Sequence, residues 1–414
     1  MHPHRATAEA ITSAVAAERT AMVASLIRLT GDWDLAEDCV QDAVERALLR
    51  WPRDGMPRSP AAWLTAVARN RALDVLRRRR TERAKLQELA IRDEIGPGRA
   101  GPTDPLSDDR LRLIFTCCHP ALAIESRVAL TLKTVAGLST AQIARAFLVS
   151  EPALSQRLLR TKRKIANAAI PYRVPPEDLL AQRTSGVLAV LYLIFNEGYA
   201  QPEDHLIVEA RRLTKLLVDL MPDEDEARAL LALVTLQLAR RSTRFDVRGD
   251  LVPMEEQDRS RWDAALIEQG LWHLRRAAGP GRPPGPYRLQ AEIAACHATA
   301  ETAEATAWGA IVTLYDALLA AQPSPVIALN RAIAVGFRDG QEAGLAELDA
   351  LDGAALAGYY LLPAARADFL RRLGRTDEAQ RAYVAALDLA PAGRPEWRLL
   401  QRRLTGVGDP PSAS

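Results

Sequence analysis

The sequence predicts an all-α protein made of three helical bodies in series. Aromatic residues make up only 5% of the chain, and Ala, Leu, Arg and Glu recur at spacings of three and four almost throughout. That is the period of a helix face, not of a strand. Two Pro-rich stretches, 95–109 and 171–179, break the pattern where regular structure is not tolerated. At 414 residues and 48% hydrophobic, the chain exceeds one ordinary core and can fill several.

The first helix is expected over 8–29, with Ile11, Val15, Met22, Leu26 and Leu29 on one face and Gly31 ending it. A second begins near Asp34. After the Pro/Gly loop 51–60, Ser59-Pro60 opens a third that runs to about Arg80. Trp63 reads as core, and Trp51, beside the loop, as the exposed aromatic. The stretch 95–109 holds three Gly and three Pro and reads as an interdomain linker. Helices resume over 108–117, 121–136, 139–148 and 151–168. Domain bounds follow as 1–85, a linker at 86–109, 110–172, and a helical extension at 173–414.

Near the C-terminus "LYDALLAAQP" (314–323) and "AYVAALDLAP" (382–391) share a tyrosine and a proline at a displacement of 68 residues. This is twice 34, the tetratricopeptide period. Ala367, Gly374, Ala379, Tyr383, Ala386 and Pro391 occupy the small, turn, aromatic and proline positions that let helix pairs stack.

Net charge is only +2, but the charge is unevenly placed. Residues 31–46 carry six acids against Arg46, residues 69–85 eight basic side chains against two acids, and residues 151–164 five against Glu151. Both basic segments follow an apolar helical pattern, so their charge is presented on a shaped surface. In "GLSTAQIARAFLVSEPALSQRLLRTKRKI" (137–165), Ser139 or Thr140 can cap one helix and Ser150 the next, with Pro152 tolerated in its first turn. Ile143, Ala144, Phe147, Leu154 and Leu158 point inward. Ser155, Gln156, Arg157, Arg160, Lys162 and Arg163 are left outward, a set suited to a recognition helix in the DNA major groove.

These motifs, in this order, resemble an extracytoplasmic-function sigma factor of the sigma-70 family. "DLAEDCVQDAVERAL" resembles the part of region 2 that docks on core RNA polymerase, which implies core-binding roles for Asp34, Glu37, Asp38, Gln41 and Asp42. "AWLTAVARNRALDVLRRRR" resembles the end of region 2 that reads the −10 element, implying DNA contacts from Arg69, Asn70, Arg71, Asp74, Arg77 and Arg78. The helix-turn-helix resembles region 4, which reads the −35 element, although Pro152, Ala153 and Leu154 depart from the usual residues at its start. The tail is similar to the subgroup with a long C-terminal tetratricopeptide-like extension. The resemblance implies bacterial RNA polymerase core and promoter DNA as partners, with an unidentified protein or ligand for the extension.

The alternative reading is a helix-turn-helix regulator with a tetratricopeptide-type sensor that does not replace sigma. An enzyme in the C-terminal half lacks support, since no phosphate loop, nucleophile elbow or metal-ligating pair is evident. No catalytic residue, cofactor or metal is therefore expected. The adjacent Cys117 and Cys118 of "TCCHP" diverge by about 100° on a helix, which suits packing better than ligation. Cys296 and His297 read the same way, and Glu197 of "NEGY" reads as structural. Four scattered cysteines suit a reducing compartment, and no run reaches about 18 uncharged apolar residues. A cytoplasmic protein without membrane contact is expected.

Overall fold

The computed structural model describes residues 18–87, 108–147, 149–199, 205–279, 283–351 and 353–406, and these divide into two compact units, 1–194 and 195–414. The described residues are helical apart from loops and a single β-bridge between Phe245 and Leu251.

The first unit opens with α1 (18–30), of which Met22, Val23, Leu26 and Ile27 are buried. Leu29, expected on the apolar face, is 39% exposed: the buried stripe runs through Val23 and Ile27 and leaves Leu29 on the far side. The expected face residues Ile11 and Val15 lie outside the described residues. Helices α2 (Trp33–Asp54) and α3 (Pro60–Gln87) pack against each other, burying Leu35, Ala36, Cys39, Val40, Ala43 and Ala47 against Leu64, Ala68 and Ala72. Trp51 departs from the exposed position expected of it, and Trp63 is only partly buried. Trp51 is 4% exposed and meets half-buried Trp63 edge-on at 5.5 Å, because Trp51 continues the buried stripe of α2 to its last turn. Most of the expected linker lies outside the described residues, but Asp108 already caps α4 (Asp109–Cys117), its side chain accepting from the Arg110 amide.

Helices α5 (Ile124–Leu130), α6 (Thr140–Ala146) and α7 (Glu151–Asn167) complete the second helical body, with a six-residue π-turn, Thr131–Ala136, extending α5. Gly137 follows at φ +82°, the left-handed region that ends a helix without a Cβ penalty. Cys117 and Cys118 sit in this core at 0% and 2% exposure, and the Cys118 thiol lies 3.6 Å from the Thr131 hydroxyl. Burial pushes the Cys118 thiol up to about 11, so the pair stays protonated at neutral pH. Helix α8 (Glu177–Tyr199) is the described helix long and apolar enough to span a membrane by length and composition. It buries Thr184, Val187, Leu188 and Leu191, and Arg183 donates to the Phe115 carbonyl at 2.8 Å.

The second unit is built around α10 (Asp225–Ala239), which is buried nearly all round by α9 (His205–Leu220), α12 (Ala264–Arg276) and α13 (Pro286–Thr299). A helix apolar on every side belongs in the middle of a protein. The short α11 (Arg241–Arg244) follows α10 directly. Helical hairpins then follow: α14 (Trp308–Ala321), α15 (Pro325–Asp339), α16 (Gln341–Asp349), α17 (Leu361–Arg372), α18 (Thr376–Leu389) and α19 (Pro395–Thr405), each packed on the next. Ala367, Ala379, Tyr383 and Ala386 are all buried to 1% exposure or less, so small residues set the spacing of the last pair. Glu197 faces Arg394 at 3.8 Å, and a Cβ on Gly198 would stand 2.4 Å from the Ile207 amide nitrogen.

The α15–α16 hairpin closes most tightly at Gly336 and Gly344, where an added Cβ would meet the Phe369 ring at 2.3 Å and 2.5 Å. Gly336→Ala should therefore cost about 1–3 kcal/mol, as overpacking does. Gly353→Ala, with nothing within 4 Å of its Cβ, should stay within about 0.5 kcal/mol. Guanidinium unfolding of the full chain reads both; equal midpoints would show that Phe369 yields without strain.

Candidate functional site

Helix α2 starts where Asp32 accepts from the Leu35 amide at 3.0 Å. The same carboxylate takes Arg79 of α3 at 2.9 Å. Burial alone would raise the Asp32 pKa, but the Leu35 amide and Arg79 outweigh it and hold it below the usual carboxylate value. With Leu35, Cys39 and Ala43 turned inward, Asp34, Asp38, Gln41 and Glu45 are exposed on the opposite side. Gln41 donates to Glu45 at 3.0 Å, and half-buried Asp42 pairs with Arg46 at 3.0 Å. The acidic strip ends in Leu48 and Leu49, 48% and 67% exposed. Sequence reading passed over these two leucines; the signal for them was an apolar pair out of phase with the buried stripe. A shallow cavity of about 290 Å³, lined in part by Asp38, Gln41, Asp42 and Arg71, marks where α3 meets this strip.

On α3, Arg69, Asn70, Asp74, Arg77 and Arg78 are exposed, and Arg77 reaches Asp74 at 3.5 Å. Arg71 is half-buried on the side of the α2 acids, apart from that exposed group.

The helix-turn-helix owes its shape to local hydrogen bonds. Ser139 and Gln142 form a reciprocal capping box at the start of α6, at 2.8 Å and 3.1 Å. Ser150 accepts from Ala153 at 3.4 Å and starts α7, with Pro152 in the first turn. Leu154, Leu158, Thr161 and Ile165 are buried, while Ser155, Gln156, Arg160 and Arg163 are exposed and Arg157 is half-buried. Phe147 is half-buried. Lys162 departs from the expected outward orientation, with a side chain only 12% exposed.

Lys162 is turned onto α2. Its Nζ lies 2.6 Å from Asp34 Oδ1 and 3.4 Å from Glu37 Oε2. Glu37 also accepts from the Thr134 hydroxyl at 3.2 Å. Burial disfavours the Lys162 charge, yet Glu37 and Asp34 together raise its pKa above the ordinary lysine value, so it remains a cation. Around this contact Arg19 donates to the Thr134 carbonyl at 3.0 Å and Thr20 to that of Val135 at 2.9 Å. Both carbonyls belong to the π-turn, near the helix end where carbonyls accept from side chains. Arg28 pairs with Asp109 at 2.9 Å, and Tyr172 donates to the Ala24 carbonyl at 2.9 Å. The structure thus brings two predicted core-docking acids and one predicted DNA-binding lysine into a single contact.

Three segments of the chain match known families. Residues 15–82 match Sigma-70 region 2, residues 112–165 match Sigma-70, region 4, and residues 183–278 match a family of unknown function (DUF6596). The chain is 44% identical over 388 residues to the uncharacterized protein R00370 of Rhizobium meliloti, covering 91% of each chain. It is 30% identical over 170 residues to the probable ECF RNA polymerase sigma factor SigI of Mycobacterium tuberculosis, covering 40% of this chain and 58% of the relative. To the ECF RNA polymerase sigma factor SigL of the same species it is 33% identical over 133 residues, covering 32% and 73%. No solved structure matches. Two sigma regions in the expected order, each on its own helical body, place the chain in the sigma-70 family, as an extracytoplasmic-function RNA polymerase sigma factor with a long helical C-terminal extension.

Proposed function

We propose that this sigma factor docks core polymerase through Asp34, Glu37, Asp38, Gln41 and Asp42, reads the −10 element with Arg69, Asn70, Arg71, Asp74, Arg77 and Arg78, and reads the −35 element with Ser155, Gln156, Arg157, Arg160, Lys162 and Arg163. It works in the cytoplasm, binds bacterial core RNA polymerase and promoter DNA, and makes or breaks no covalent bond. Its functional bodies are residues 1–85 and 110–172, joined by the linker 86–109, with 173–414 as a regulatory or partner-binding extension. The carrying observation is the opposition of charge between the exposed acidic strip of α2 and the exposed basic faces of α3 and α7.

The acids suit a basic protein partner, and the arginines suit phosphates and base edges. Lys162, Asp34 and Glu37 hold one another, so core docking and −35 contact both require that ion pair to part. The arrangement described is a closed state of the sigma factor, and polymerase binding opens it.

Promoter-directed transcription by the full chain on sigma-free core polymerase is the primary test, with transcript starts sequenced. Specific starts sharing −35 and −10 patterns are expected; binding to DNA without any specific start would support a regulator instead. Arg160→Ala should weaken −35 DNA binding by about tenfold, the scale of one base-edge contact, and leave core affinity unchanged. Asp38→Ala should do the reverse. Lys162→Ala should tighten core binding, by freeing Asp34 and Glu37, while lowering the salt slope of DNA binding by about one. Unchanged core affinity in Lys162→Ala would show that the closed contact does not compete with polymerase.

A further inference from the structure

Most surface arginines of the second unit have carboxylate partners: Arg331 holds Asp316 and Glu347, Arg372 holds Asp368 and Glu255, and Arg398 holds Asp250. Arg240, Arg244 and Arg259 form no ion pair among the described residues. Arg240 is only 4% exposed, its Nη1 reaches Gln237 at 3.3 Å, and its Nε is buried without a partner. Arg244 donates to the Tyr199 carbonyl at 3.1 Å, with its guanidinium 3.7 Å over that tyrosine's ring. Arg259 is anchored to the carbonyls of His297 and Ala300 at 2.8 Å and 2.9 Å and to the Thr306 hydroxyl at 3.2 Å, and its Nε–H has no hydrogen bond among the described residues. Trp262 gathers two of them, Arg259 at 4.9 Å and Arg240 at 5.5 Å from its ring centre.

Burying an unpaired guanidinium is costly, and a cation–π contact offsets only part of that cost. The local field is correspondingly positive. Burial first, then Arg240 and Arg259, push His297 down to about 4, and its Nδ1 is buried with no hydrogen bond. Burial should raise the Tyr199 pKa, yet Arg240, Arg244 and Arg241 lower it overall.

Arg259 and His297 also form one end of a cavity of about 550 Å³, a volume suited to a small organic ligand. The remaining wall is largely aromatic and apolar. Trp308 stacks on Phe337 at 4.5 Å and 9°, and Tyr315, Ile311 and Ile333 continue it. Asn330 lines the same wall and makes no hydrogen bond among the described residues. Two acids stand at the cavity. Glu255 is matched by Arg372, and Glu304, exposed to solvent, favours the Arg259 charge without forming an ion pair with it among the described residues.

We propose that this cavity in the C-terminal extension binds a small planar organic carboxylate, its anionic group on Arg259 with Arg240 behind it, and its flat apolar body along Trp308, Tyr315 and Phe337. The inference does not rest on polymerase or promoter binding. Its test is a direct titration of the full chain.

Indole-3-acetate is the probe, with its uncharged amide, inorganic phosphate and an acidic peptide ending in a free carboxylate as comparisons, all by calorimetry. The acid should bind saturably, and the amide and phosphate should each bind at least about tenfold more weakly, the scale of a lost charge-assisted hydrogen bond or of lost apolar burial. Arg259→Gln should weaken the acid by a similar factor, and exposed Arg248→Gln should not. Because Arg259 also anchors backbone carbonyls, Asn330→Asp serves as a second variant: it adds a negative charge to the wall without removing a contact, and it too should weaken the acid. Equal binding of acid and amide, binding indifferent to both variants, binding of phosphate alone, binding of the peptide alone, or no binding by any probe overturns the proposal.

Discussion

In the first unit the contact between α7 and α2 turns on one cation meeting two carboxylates. Lys162 and Glu37 are 12% and 15% exposed, whereas Asp34 is 69% exposed, so the three are unequal partners. At an effective dielectric of 20, unit charges about 4 Å apart attract by about 4 kcal/mol. Desolvation of Lys162 and Glu37 removes much of that, and solvent screening discounts the Asp34 contact further. What survives is of the order of one or two kcal/mol, comparable to a single buried methyl-bearing side chain. The ion pair therefore decides which faces meet, while the apolar contacts within each helical body hold the bodies themselves. A contact of that size can yield to a larger acidic-strip interface on another protein.

The neighbouring hydrogen bonds give this weak electrostatic contact its geometry. Arg19 and Thr20 donate to carbonyls near the end of the π-turn, and Thr134 donates to the Glu37 carboxylate from the other side. Backbone carbonyls do not titrate and are little affected by salt, so they set orientation under conditions where the ion pair weakens. Tyr172 adds a fixed point at the far end, where its hydroxyl reaches the Ala24 carbonyl.

Those parts of the fold that rest on local chemistry were legible in the sequence. Ser139, Gln142 and Ser150 cap their helices by bonds spanning three residues, and the Leu154 and Leu158 stripe follows from helical period alone. The packing role read for Cys117 and Cys118 agrees with their burial, although helical period alone accounts for only one of two adjacent residues. Features that depend on which face another helix covers were not legible. Trp51 is buried rather than exposed because α3 packs over the last turn of α2, where Trp63 meets it edge-on, and Leu29 is exposed because the stripe on α1 is narrower than its apolar composition. Lys162 was read as a DNA contact from its helix alone, and nothing local could reveal a partner more than a hundred residues away. The opposite charges of residues 31–46 and 151–164 carried that information, but complementary segments in one chain suit external partners equally well.

In the extension, the same limit acts on arginine. Its core follows from small residues: Gly336 and Gly344 let two helices and Phe369 meet with no Cβ between them, a packing that a run of alanines and glycines already suggests. The segment "ARRSTRF" (239–245), by contrast, reads as an ordinary solvated helix end. Only the fold shows that Arg240 is drawn inside beneath Trp262 while the carboxylates go to other arginines. A guanidinium cannot shed its proton to relieve burial as a lysine can, so the cost persists until an anion arrives. A cluster of arginines that form no ion pair among the described residues is therefore better read as a binding feature than as a defect of packing.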